Sequence, residues 1–138
     1  MPHLLIASDA DWVVAEVEAA LGGRGTTIAV CRQGQDVAAA VEERKPDLAI
    51  LDMQISNMGA FAVTLMLHNE ESGGRLPHVR TLILLDRAAD VFLAQRSEAE
   101  GWLLKPLDAL RLRRASKVIQ DGGTYRDGTD PAAASLSA

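Results

Sequence analysis

The sequence predicts an α/β domain, a parallel β-sheet with helices packed on both faces. Two observations carry this. Five short apolar runs recur along the chain, and they are continuous rather than alternating, as strands buried on both faces are. A segment with helical spacing follows each run, and strand–helix alternation of this kind builds a parallel sheet. The 138 residues suit one domain, large enough to bury about two-thirds of its unfolded surface.

The first run, Leu4-Leu5-Ile6-Ala7, precedes Val13, Val17 and Leu21 at four-residue spacing, and Gly22-Gly23 stops that helix. The second, Thr27-Ile28-Ala29-Val30-Cys31, precedes a helix with Val37, Ala40 and Val41 as its buried stripe. Lys45-Pro46 ends it, because proline disfavours helical geometry in the residue before it. After Leu48-Ala49-Ile50-Leu51, residues 60 to 70 read as helix up to Ser72-Gly73-Gly74. After Thr81-Leu82-Ile83-Leu84-Leu85, a short helix is expected from Ala88 to Glu98. After Trp102-Leu103-Leu104, Leu107 to Gln120 is a helix that stops at Gly122-Gly123. Five such units with right-handed crossovers lead to a flavodoxin-like (βα)5 fold. It is a five-stranded parallel sheet of order 2-1-3-4-5, with two helices on one face and three on the other. From residue 122 Gly, Thr, Asp, Ala and Ser dominate, so residues 1–121 read as the domain and 122–138 as a tail contributing little stability.

Bulk properties narrow the function. Hydrophobic residues make up 48%, and a mean hydropathy near zero fits a soluble globular protein. A formal net charge of -5 argues against nucleic acid as the main partner, because phosphate contacts need a basic footprint. Cys31, the only cysteine, has no partner for an internal disulfide and sits in an apolar run as a small core residue. Met1-Pro2-His3 lacks a cationic start, and no stretch approaches the roughly 20 apolar residues of a membrane helix. The expected compartment is the cytoplasm, without membrane insertion.

In sheets of this kind ligands bind at the carboxyl ends of the strands, where the strand order switches. The first strand ends in Ser8-Asp9, the third in Asp52, the fourth in Asp86 and the fifth in Lys105. The order 2-1-3-4-5 places Asp9 beside Asp52, then Asp86, then Lys105. Adjacent carboxylates repel unless compensated, and Mg2+ commonly takes one or two of them while keeping several waters. A carboxylate nucleophile, Mg2+ and a lysine together make a site for phosphoryl transfer to an aspartate. Asp11 and Asp47 read as ordinary solvated residues.

These residues resemble a known family. The run from Pro46 through Asp52 to Gln54, with Asn57-Met58 and Phe61, resembles the phosphorylation-site segment of bacterial two-component response-regulator receivers. Leu103-Leu104-Lys105-Pro106-Leu107 resembles their lysine–proline motif, and Leu5-Ile6-Ala7-Ser8-Asp9 their first strand with its acidic pair. The resemblance covers about residues 3 to 121. It implies that Asp52 is the phosphoacceptor and that Asp9 and the backbone carbonyl of Gln54 are Mg2+ ligands with it. It also implies that Lys105 holds the phosphoryl group and that Trp102 takes the place of the aromatic that reports activation. The implied partners are a histidine kinase or phosphotransfer protein and an output protein.

The chain departs from the family pattern in places. Ser8 stands where the first of two acidic residues is usual, Ser56 where a proline is usual, and Gly59-Ala60 where Asp-Gly is usual. Asp86 replaces a Ser or Thr, Arg87 replaces a small residue, and the Asp86–Lys105 segment is short. A carboxylate at position 86 cannot donate the hydrogen bond that a hydroxyl gives a phosphoryl group. Turned inward, Asp86 would pair with Lys105; turned outward, it would pair with Arg87 at the surface.

Two other features have a structural and a functional reading. The third helix is apolar around its girth, with Phe61, Ala62, Val63, Leu65, Met66 and Leu67, either because neighbours cover it or as a patch for a partner or a homodimer. Arg111, Arg113, Arg114 and Lys117 on the last helix form a solvated face or meet an acidic partner. His3, His68 and His78 lack metal-ligand spacing. The leading expectation is a stand-alone response regulator that accepts a phosphoryl group on Asp52 and signals by protein–protein interaction, not a conventional enzyme. The runner-up is a pseudo-receiver, an interaction module without phosphoryl chemistry. A nucleotide-binding protein is disfavoured, since Ser8-Asp9-Ala10-Asp11 would repel a nucleotide.

Overall fold

The computed structural model describes residues 2–55 and 57–128. Strands and helices alternate as β1 (His3–Ala7), α1 (Asp11–Leu21), β2 (Thr27–Cys31), α2 (Val37–Glu43), β3 (Leu48–Asp52), α3 (Ala60–Ser72), β4 (Thr81–Leu85), α4 (Val91–Arg96), β5 (Gly101–Leu104), α5 (Ala109–Gln120) and β6 (Tyr125–Arg126). The sheet runs β2-β1-β3-β4-β5-β6, and every neighbouring pair is parallel.

The inner strands β1, β3, β4 and β5 are apolar on both sides because both sides are covered. Leu4, Ile6, Leu48, Ile50, Leu82, Leu84 and Leu103 face a core closed by α1 and α5, through Val13, Val17, Leu112 and Ile119. Leu5, Ala7, Ala49, Leu51, Ile83, Leu85 and Trp102 face the opposite core, closed by Val37 and Val41 of α2, Val63 and Leu67 of α3, and Val91 and Ala94 of α4. This is the expected split of two helices and three. Burying a leucine or isoleucine side chain contributes roughly 1.5–3 kcal/mol, so the two-sided strands supply most of the hydrophobic stabilisation.

Three local corrections follow. The sheet has six strands rather than five, because Tyr125–Arg126 pairs with β5. That pairing lies inside the segment whose composition reads as tail; residues 129–138 lie outside the described residues. The helix expected from Ala88 to Glu98 divides into a 3-10 turn at Ala88–Asp90 and the six-residue α4. Asp90 causes the division, since its carboxylate accepts from Arg87 N at 3.2 Å and from the Arg87 guanidinium at 3.1 Å, and Glu98 at φ 64° lies beyond the helix end. The last helix starts at Ala109 rather than Leu107, because Asp108 caps it by accepting from Arg111 N at 2.9 Å.

On α3, Val63 and Leu67 are buried while Ala62 and Leu65 face solvent. Leu65, with Phe92 and Leu93 of α4, is among the large hydrophobic side chains left exposed. The helix is therefore apolar all round but covered on one side.

Candidate functional site

The site grows from the carboxyl ends of β1, β3, β4 and β5. Ala7 pairs with Leu51, so the next position along brings Ser8 level with Asp52. Asp52 closes β3 and is only 1% exposed. A carboxylate that far from water needs donors, and three supply them. Ser8 Oγ donates to Asp52 Oδ2 at 2.7 Å. Lys105 Nζ donates to Asp52 Oδ1 at 2.6 Å. Gln54 N donates to the same oxygen at 3.3 Å. Ser8 is itself fully buried and fixed by accepting from Ala10 N at 3.1 Å.

Lys105 is delivered by the end of β5, where its own N–H donates to Leu85 O at 2.9 Å. Its ammonium also donates to Asp86 Oδ1 at 2.7 Å, so Asp86 faces inward. Arg87 does not draw Asp86 outward, because it is committed to Asp90. The side chains of Asp52, Lys105 and Asp86 are 1%, 12% and 24% exposed. Burial works against the charge on Lys105, but the hydrogen bonds and charges of Asp52 and Asp86 outweigh it and raise its pKa above the ordinary lysine value. With one ammonium between two carboxylates, this buried group is net negative.

The other expected residues are spread around this centre. Asp9 is exposed on the loop after Ser8, at the rim. Gln54 is exposed and turns its N–H to Asp52. Trp102 lies in the core three residues before Lys105, and its indole N–H donates to Asp127 O at 2.8 Å. Ser56 lies outside the described residues. Sequence reasoning treated Ser8 only as a missing acid, whereas it is a direct donor to Asp52. It does not anticipate the contact of Trp12 with Lys105, whose Nζ lies 5.5 Å from the ring centroid, a cation–π contact. The position of Trp12 in the first turn of α1, just beyond Asp9, was the available signal.

Carboxylate and carbonyl oxygens of the kind that Asp9, Asp52 and Gln54 carry are the donors a hard cation such as Mg2+ takes. Among the described residues no three acidic, His or Cys side chains converge as a metal cluster.

Residues 4–117 match the model of the response regulator receiver domain. The chain is 26% identical over 132 residues to the transcriptional regulatory protein AfsQ1 of Streptomyces coelicolor, covering 96% of this chain and 56% of that protein. It is 24% identical over 122 residues to protein PilH of Pseudomonas aeruginosa, covering 88% of this chain and all of that one. Against AfsQ1 the chain thus spans about half the relative's length. Among solved structures, the receiver domain of the sensor histidine kinase PA1611 from Pseudomonas aeruginosa, with magnesium in its active-site cleft, superimposes with a TM-score of 0.75 at 19% identity. That alignment covers 88% of this chain and 98% of the other. With a buried aspartate closing β3, a lysine from the end of β5 on it, and a family match over most of the chain, this protein belongs to the response-regulator receiver domain family.

Proposed function

We propose that Asp52 is the phosphoacceptor of this receiver and that it takes its phosphoryl group from a phosphohistidine on a histidine kinase or phosphotransfer protein. The observation that carries the reading is the Lys105 ammonium held 2.6 Å from an otherwise buried Asp52 carboxylate. An Asp52 oxygen attacks phosphorus as the phosphorus–nitrogen bond of the donor breaks, and the electron pair leaves with the imidazole. Lys105 lies where it stabilises charge on the transferred group. Ser8 holds the second carboxylate oxygen. Asp9, Asp52 and the Gln54 carbonyl would hold Mg2+, whose chemistry is to screen the carboxylates and polarise phosphoryl oxygens. Hydrolysis of the acyl phosphate resets the site, and the output is a protein–protein contact.

Asp86 tunes this chemistry. It shares the ammonium that the phosphoryl group needs and offers no proton. A phosphoryl group adds nearly two negative charges. At about 5 Å and an effective dielectric near 20, Coulomb's law gives a repulsion on the order of 5 kcal/mol, before Lys105 and Mg2+ offset part of it. Slow or sparse phosphorylation is the expected behaviour. The test is intact-mass measurement after incubation with Mg2+ and a small acyl phosphate. A gain of one phosphoryl group that disappears in Asp52→Ala supports the reading, and no gain at any donor concentration overturns it.

A further inference from the structure

Helix α1 buries Val13, Val14, Val17 and Ala20, but it leaves Trp12 on its first turn 51% exposed. The ring is not part of either core. What it meets instead is the cation of the site, since Lys105 Nζ lies 5.5 Å from its centroid.

The turn that carries Trp12 is held from two sides. Ser8 Oγ, which donates to Asp52, also accepts from Ala10 N at 3.1 Å. Ala10 O accepts from Val13 N and Val14 N at 3.1 and 3.2 Å. Asp11 accepts from the Arg32 guanidinium at 2.8 Å, which ties the same turn to the residue after β2. A chain of hydrogen bonds thus runs from the Asp52 carboxylate through Ser8 and Ala10 to the backbone on either side of Trp12.

Lys105 reaches the same place from the end of β5. Its ammonium donates to Asp52 at 2.6 Å and to Asp86 at 2.7 Å. An ammonium is a compact charge on a flexible stem and lacks the rigid fork of a guanidinium, so its aim depends on what surrounds it. Two carboxylates alone leave it free to favour either one. An aromatic face adds a third attraction without adding a formal charge. Unlike Asp86, the ring holds the lysine without repelling an incoming phosphoryl group.

We propose that Trp12 is a positioning residue of the phosphoryl-transfer site, whose indole face steadies the Lys105 ammonium between Asp52 and Asp86. The role in transfer rests on Asp52 being the phosphoacceptor; the hold on Lys105 does not, and the two are read separately.

The full-length parent is compared with Trp12→Phe and Trp12→Leu. Phenylalanine keeps an aromatic face weaker than indole, and leucine keeps apolar bulk without one. The first readout is exchange of the Lys105 ammonium protons with water, followed by nitrogen-15 NMR in the unphosphorylated chain at mildly acidic pH. The β1 and β3 amides are the controls. Exchange should rise about threefold in Trp12→Leu and less in Trp12→Phe while the controls hold, as for loss of one cation–π contact at an exposed ring. The second readout is the initial rate of phosphoryl incorporation against the concentration of a small acyl phosphate with Mg2+. The maximal rate should fall about threefold in Trp12→Leu with the half-saturating concentration unchanged, and Trp12→Phe should recover most of the loss. Unchanged Lys105 exchange, identical behaviour of the Phe and Leu variants, or matching loosening of β1 and β3 overturns the proposal. So does an unchanged maximal rate in Trp12→Leu. A parent that takes no phosphoryl group overturns the phosphoacceptor reading instead, and Lys105 exchange still decides whether Trp12 holds the ammonium.

Discussion

Strands β4 and β5 carry a cation between two carboxylates at each of their ends, and the two triads differ in nearly everything else. At the carboxyl ends, Lys105 bridges Asp52 and Asp86 at 2.6 and 2.7 Å. At the amino ends, His78 bridges Glu71 and Glu100, both at 2.9 Å. The first triad is largely buried, whereas the His78 and Glu71 side chains are 49% and 40% exposed. The first holds a candidate nucleophile. The second ties the end of α3 to the loop before β5, where Glu100 also accepts from Thr81 N at 2.7 Å. The same charge pattern is thus a candidate reactive group where it is buried and a fastening where it opens onto water.

Lys105→Met tests the buried side of the comparison and should have the largest effect. It leaves two carboxylates facing each other, one of them cut off from solvent, and should cost about 3 kcal/mol in urea unfolding, the low end for a broken buried pair because Asp86 is partly hydrated. A loss below about 1 kcal/mol would mean that the two triads are energetically alike.

Asp86→Thr keeps Lys105 on Asp52, removes the competing carboxylate and supplies a hydroxyl. Phosphoryl incorporation on Asp52, followed as a time course, should rise at least about tenfold, which asks for only about 1.4 kcal/mol of the repulsion. Arg87→Ala in addition tests whether bulk at the rim blocks the donor. Equal incorporation in parent and variants would show that Asp86 does not restrain the site.

His78 gives the smallest effect and is the arm that titrates. Its hydrogen bond to Glu71, opposed by burial and helped by Glu100, raises its pKa above the ordinary imidazole value. Carboxylates only accept, so both bonds need the doubly protonated ring. A raised folded-state pKa means a contribution fully present below about pH 6.5, the unfolded value, and lost as pH rises through the folded one. His78→Gln should lower the melting temperature at pH 5.5 and change it little at pH 8.5. Because the pair is exposed and screened, the difference should stay within about 1 kcal/mol. An equal change at both pH values would mean that the histidine acts through packing alone.

Much of this architecture is legible in the residues. Continuous apolar runs mark β1, β3, β4 and β5 because each is covered on both faces, the edge strand β2 is apolar though only partly covered, and topology then gathers Asp52, Asp86 and Lys105 without any coordinates. The direction of Asp86 is not legible, because it turns on whether Arg87 or Lys105 is the nearer partner, and Asp90 takes Arg87 out of that contest. Ser8 hides for another reason: a serine in an acidic position reads as a loss, whereas in three dimensions its hydroxyl replaces charge with a donor. Strand β6 escapes detection because its hold comes from Asp127 and two glycines, Gly101 and Gly128, rather than from an apolar run. The His78 bridge escapes because its partners lie 7 and 22 residues away.

The short sixth strand also bears on how the protein behaves in a crowded solution. An open sheet edge presents unpaired N–H and C=O groups on which other chains can build. Here the last edge belongs to two residues, one of them Arg126, whose guanidinium carbon lies 6.0 Å from the Trp102 ring. A strand that short, with a charge on it, gives a neighbouring molecule almost nothing to extend. The longer and more apolar β5 stays sealed beneath it, so the segment that reads as a loose end shields this side of the sheet from pairing with a neighbour, while β2 forms the opposite edge.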